Sequence, residues 1–131
     1  VSNLERIGDH AENIADAAIK CIEDGISFTK KGTKEILEMH ERAMRIFKES
    51  MEMFITQNAD MQNEIMELEN SIDRMERELQ QNHVKRMAKG KCSPMAGIIF
   101  TDLVTGLERI GDHSTNIAFS ILEKDPEEAT I

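Results

Sequence analysis

A chain of 131 residues is long enough for one domain with a true apolar core. Its 40% hydrophobic and 31% charged residues exclude the disordered class. The net charge of −9, from 25 acidic and 16 basic residues, argues against nucleic acid or anionic lipid as partners and suits a cation. With no Trp or Tyr and 9 Met, flexible methionines and branched aliphatics must fill the core. Cys21 and Cys92 form no CxxC, which excludes a zinc knuckle or redox pair and makes a reducing compartment the simpler expectation. No apolar run approaches bilayer length and no signal peptide is written. Because Val1 stands almost inside a helical pattern, the chain is expected to be a piece of something longer, with any membrane part upstream.

Turn residues divide the chain into four helical stretches, and no period-two alternation suggests a strand. The first helix is expected from about Ser2 to Asp24, where Ser2 and Glu5 spell a capping box. A loop bracketed by Gly25 and Gly32 follows. Thr33 then reads as the N-cap of a second helix burying Ile36, Leu37, Ala43, Met44, Phe47, Met51, Phe54 and Ile55. After the turn at residues 57–60, a third helix starts near Asp60 with the seam Met61, Ile65, Leu68, Ile72, Met75 and Leu79. Ser93 followed by Pro94 opens a fourth, running through Ile98, Ile99, Leu103, Val104, Leu107, Ile110, Ile117 and Ile121. Short connections between long helices predict an antiparallel bundle. Lys30, Lys31, Lys34 and the basic stretch 85–91 read as solvated loop and helix ends.

The strongest signal is an internal repeat. Residues 4–16 read LERIGDHAENIAD and residues 107–119 read LERIGDHSTNIAF, seven consecutive identities beginning 103 positions apart. That spacing fits a three-helix unit and its loops, so the whole protein is expected to contain two such repeats. On this reading 1–28 is the last helix of a first repeat, 33–124 a complete second repeat and 125–131 a tail. The first helix then lacks its own partners. It must lie on the second repeat, pair with a second copy of the chain, or leave apolar surface bare; a homodimer is the preferred outcome.

Each copy holds a Glu and an Asp four apart, Glu5 with Asp9 and Glu108 with Asp112, which places both carboxylates on one helix face. Like charges so placed repel by a few tenths of a kcal/mol, and half-sunk carboxylates call for a compensating cation. Glu69 and Asp73 repeat the spacing beside the third-helix seam, with Glu76 continuing the stripe. Two antiparallel helices could bring Glu69/Asp73 against Glu108/Asp112. Hard oxygen ligands suit iron, manganese, zinc or magnesium. The bland reading is that such pairs come freely in an acidic chain, as Glu12/Asp16 and Asp60/Glu64 do. Gly8 and Gly111 cost about 1 kcal/mol each in mid-helix, which suggests close approach by a neighbour. His10 and His113 lie about 100° round the helix from the preceding Asp and read as packing or outer-shell groups, with Asn13 and Asn116 as outer-shell donors. No Glu-x-x-His element, nucleophile–base pair or phosphate loop is present, and no enzyme is expected.

LERIGDH with its trailing Asn-Ile-Ala resembles the signature of the PhoU family, and GKCSPMAGIIFTDLVTGLERIGDH at 90–113 resembles the PhoU-like domain of bacterial sodium/phosphate cotransporter-type proteins. The resemblance covers essentially the whole chain. It implies tandem three-helix bundles whose acidic motifs hold iron or zinc clusters, here on Glu5 and Asp9, Glu69 and Asp73, and Glu108 and Asp112. It also implies a regulatory role in phosphate uptake at the cytoplasmic face of the membrane, beside or fused to a phosphate transporter. Glu5 and Asp9 would need a partner motif preceding Val1. The alternatives are a metal-free helical adaptor and a free-standing regulator of the same type.

Overall fold

Three helices start at hydroxyl side chains. Ser2 Oγ accepts from the Glu5 N–H at 3.2 Å, Thr29 Oγ1 from Gly32 at 3.0 Å and Ser93 Oγ from Ala96 at 3.1 Å. Each satisfies an N–H that a first turn leaves without an intrahelical partner. In the computed structural model, which describes residues 2–123, these caps open α1 (Asn3–Asp24), α2 (Lys30–Thr56) and α4 (Pro94–Phe119). α3 (Gln62–Ala88) instead grows out of a 3-10 turn at Ala59–Met61, and a second such turn, Ser120–Leu122, follows α4. Gly25 and Gly90 end α1 and the α3 connection at φ +65° and +69°, a left-handed geometry that strains any Cβ. The expected all-helical class holds, with no strand among the described residues. The tail 125–131 lies outside them.

α4 is the central element and packs on each of the other three helices. Phe100, Val104, Leu107, Ile110 and Ile117 meet Met39, Ile46 and Met53 of α2 and Ile65, Ile72 and Leu79 of α3 in one core. Each such side chain, fully buried, contributes about 1.5–3 kcal/mol. The α3 seam is as expected, with Met61 half-buried at its end.

The start of α2 and its buried stripe differ from expectation. Thr29 is the N-cap, and the Thr33 N–H already bonds to the Thr29 carbonyl at 2.9 Å, so Thr33 and Gly32 lie inside the first turn. Gly32 is buried, and a Cβ there would stand 3.6 Å from the Phe100 ring. The buried face of α2 runs through Glu35, Met39, Ala43, Ile46, Ser50 and Met53. Leu37, Met44 and Ile55 are exposed, and Ile36, Phe47, Met51 and Phe54 only border the core. Two polar residues, Glu35 and Ser50, sit in the true stripe, so hydropathy alone selected its neighbour. Ile98 of α4 is likewise exposed.

α1 lies antiparallel along α4, the first of its three expected fates. Ile7 is its one fully buried residue, while Ile19 and Ile22 remain 51% and 81% exposed. The two copies of the repeated motif meet in this pair. The His10 and His113 rings stack with centroids 5.6 Å apart and planes 16° off parallel. Asn3 Oδ1 sits 3.2 Å from His113 Nδ1 and accepts from Asn116 Nδ2 at 3.5 Å.

Candidate metal centre

α3 and α4 run side by side, and residues four apart on each helix stack one turn above another. Asp73 of α3 and Glu108 and Asp112 of α4 therefore converge, all half-buried, with one oxygen from each within 4.8 Å of the others. Oxygens held at about 2.0–2.2 Å from one ion lie at most about 4.4 Å apart, so small side-chain rotations would close this set on a cation. Glu69 stands against Asp112 beside the trio, and Glu76 adds further negative charge next to it.

Crowding shows in the proton affinities. Glu108 is pushed up to about 8, first by burial, then by hydrogen bonding and repulsion from Asp112, with Glu76 and Asp73 adding to it. Glu69 is pushed up to about 7 by burial, then by Asp112 and Asp73; only the neighbouring Thr115 hydroxyl pulls the other way. Asp73 is raised by burial and Asp112, opposed by Arg77 and by hydrogen bonding with Glu108. Glu76 is raised by burial and by Asp73 and Asp112. Carboxylates so placed hold protons unless a stronger positive charge takes their place. Three hard oxygen donors with two more acids alongside fit an iron, zinc, manganese or magnesium ion.

The first copy of the motif has a different surrounding. Glu5 and Asp9 are exposed on α1 and join no such group among the described residues. Gly8 has nothing within 4 Å of a would-be Cβ, so the close approach expected there is not made among the described residues. Gly111 is buried, with Ile72 at 3.5 Å and Ile46 at 4.0 Å from its would-be Cβ. Both histidines sit at the α1–α4 contact. Burial holds their imidazoles below the ordinary value, aided by Arg109 at His10 and by His10 itself and Arg6 at His113. Asn116 is exposed and turned to Asn3, and Asn13 lines a depression between α1 and α4 with His10. Neither asparagine has a hydrogen bond to the acid group.

Sequence reasoning missed Thr115, which carries no charge and no spacing signal. It also passed over a buried polar group at the other end of α3. Arg86 pairs with Glu35 at 2.7 Å, Asn82 Nδ2 donates to Glu35 at 2.9 Å, and the guanidinium lies 5.1 Å from the centre of the Phe100 ring. His83 stacks on the same ring at 4.7 Å. The signal was the phase of the α2 stripe, which places Glu35 in line with Met39.

The PhoU domain model matches residues 36–121, from the second turn of α2 to the 3-10 turn after α4. The chain belongs to the PhoU domain family. Among curated PhoU relatives, it is 26% identical over 121 residues to the phosphate-specific transport system accessory protein PhoU homolog 1 of Thermotoga maritima, a match covering 92% of this chain and 51% of that protein. The PhoU homolog of Pseudomonas aeruginosa is 31% identical over 120 residues, covering 90% and 48%. That of Clostridium acetobutylicum is 29% identical over 122 residues, covering 93% and 54%. The chain spans about half the length of the curated relatives it matches. No solved structure matches it significantly. No helix among the described residues is long and apolar enough to cross a membrane.

Proposed function

We propose that this chain is a metal-binding regulatory domain of phosphate uptake, the cytoplasmic PhoU-like part of a sodium/phosphate cotransporter-type protein at the inner face of the membrane. Membership of the PhoU family and similarity to phosphate-specific transport system accessory proteins support the regulatory reading. The convergence of Asp73, Glu108 and Asp112 carries the metal reading. A bound iron or zinc ion would supply positive charge that replaces the shared protons of these acids. Asp73 and the Glu108/Asp112 pair would hold it from two helices, so occupancy would tie α3 to α4 and fix the surface offered to a transporter. Glu5 and Asp9 present the same face on α1 and take the same role when acids from elsewhere in the whole protein, or from a second copy in a homodimer, meet them.

The test is elemental analysis of untagged protein, before and after Glu108→Gln with Asp112→Asn. Stoichiometric metal that falls to traces in a variant with an unchanged circular dichroism spectrum supports the proposal. Traces in both proteins favour the second reading, a metal-free adaptor. One observation speaks for that alternative: the raised proton affinities of Glu69 and Glu108 let the acids satisfy one another by sharing protons.

A further inference from the structure

Five cations, Lys31, Lys85, Arg86, Lys89 and Lys91, line one depression of about 300 Å³ where the start of α2 meets the end of α3, and among the described residues no carboxylate lines it. In a chain of net charge −9 with only 16 basic residues, such a cluster runs against the composition. Among the described residues, Lys31, Lys85, Lys89 and Lys91 take part in no ion pair.

Helix electrostatics account for part of this. The carbonyl end of α3 is partially negative and favours Lys85, Arg86 and Lys89. The same rule counts against Lys31, which sits in the first turn of α2 at the positive end of that helix, where no acid offsets it. Of the first four N–H groups of α2, Gly32 is capped by Thr29 Oγ1 and Thr33 bonds to the Thr29 carbonyl. Those of Lys30 and Lys31 precede any carbonyl they could reach within the helix. The positive end of α2 and lysines without ion pairs thus meet at one concavity. An anion relieves both.

The floor is already in place. Arg86 is held by Glu35 at 2.7 Å and lies against the Phe100 ring, with its side chain only 12% exposed. Glu35 engages one guanidinium nitrogen, and a guanidinium carries five donors in a rigid fork. The lysines around it are flexible point charges suited to clustered phosphate oxygens rather than to one fixed carboxylate. We infer that this depression is a binding site for a small anion carrying two or more phosphate groups, of the pyrophosphate or tripolyphosphate class. A single carboxylate would leave most of the charge unbalanced, and the volume suits a compact ligand rather than an extended chain. The site is separate from the acidic cluster, about 24 Å along α3 as the axial rise from Asp73 to Lys89.

Titration calorimetry of metal-free protein with sodium tripolyphosphate tests this, with chelation by a bound metal ruled out beforehand. One ligand per chain is expected, with affinity falling as salt rises. Lys31→Gln and Lys89→Gln should each weaken it about tenfold, whereas Lys48→Gln, which removes a charge elsewhere on α2, should not. The Glu108→Gln/Asp112→Asn protein should bind as the parent does, so failure of the metal site and failure of this one are told apart. Absence of heat at millimolar ligand, an equal loss in Lys48→Gln, or equal binding of citrate overturns the assignment. Co-sedimentation with phosphatidylglycerol vesicles without binding of soluble tripolyphosphate also overturns it, by making the patch a membrane-surface contact.

Discussion

Leu4–His10 and Leu107–His113 spell the same seven residues, and the protein uses them in two ways. Their shared faces are treated alike: Ile7 and Ile110 are 8% and 9% exposed, and His10 stacks on His113. Their acidic faces part company. Glu108 and Asp112 turn to α3 and meet Asp73, whereas Glu5 and Asp9 turn to solvent. Identical local sequence therefore fixes a helix and a contact stripe. Whether its carboxylates form a site depends on which helix lies beside them.

The largest expected difference between the copies is in metal content. Glu5→Gln with Asp9→Asn should leave bound metal unchanged in this chain, while Glu108→Gln with Asp112→Asn removes it. Equal losses from both pairs would show that α1 also holds the ion.

Next comes pH. The folded values of Glu69 and Glu108 lie at about 7 and about 8, above the ordinary 4.5 of a free glutamate. The folded state thus binds more protons than the unfolded chain between those values, and stability falls as pH rises. Stability from this source is fully present below about 4.5 and lost as pH passes through about 8. The melting temperature of metal-free protein should fall by several degrees from pH 5 to pH 8. Glu108→Gln should flatten most of that slope, and Glu5→Gln should not alter it. Metal should reverse the trend, because its ligands must be deprotonated.

A smaller effect probes the face the two copies share. His10→Ala and His113→Ala each remove the same stacked pair, so a double-mutant cycle by urea denaturation should give a coupling of about 0.5–1.5 kcal/mol. His113→Ala should be the costlier single change because it also removes the shorter of the two contacts to Asn3 Oδ1, leaving only Asn116. A coupling near zero would mean that α1 is held by something other than this contact.

The smallest effect concerns the glycines. Gly8→Ala places a methyl where nothing lies within 4 Å and should stabilise the chain by up to about 1 kcal/mol. Gly111→Ala should gain less, since the new Cβ meets Ile72 at 3.5 Å. Thermal denaturation of the two variants side by side decides it. Destabilisation by Gly8→Ala would reveal a neighbour of α1 beyond the described residues.

Much of the architecture was legible because its signals are local. Ser2 and Ser93 cap where expected, Gly25 and the Gly90 turn interrupt where expected, and the α3 seam falls in phase over its whole length. α2 was misread because Thr29 and Thr33 offer equivalent caps four residues apart, and because Glu35 and Ser50 interrupt the apolar stripe. The acidic residues were identifiable by spacing, whereas their proton affinities and the part played by Thr115 were not. The lysines at 31 and 85–91 looked like separate solvated ends, since nothing in a linear pattern says that residue 31 faces residue 89.

The amino-acid order by itself determined the helices, the repeat and the face on which each carboxylate pair stands, because capping and 3.6-residue periodicity act within a few residues. Only the packing of α4 between α1 and α3 decided which of two identical motifs gathers acids and raises their proton affinity. Burial and repulsion between side chains far apart in sequence exist only once the helices are in place.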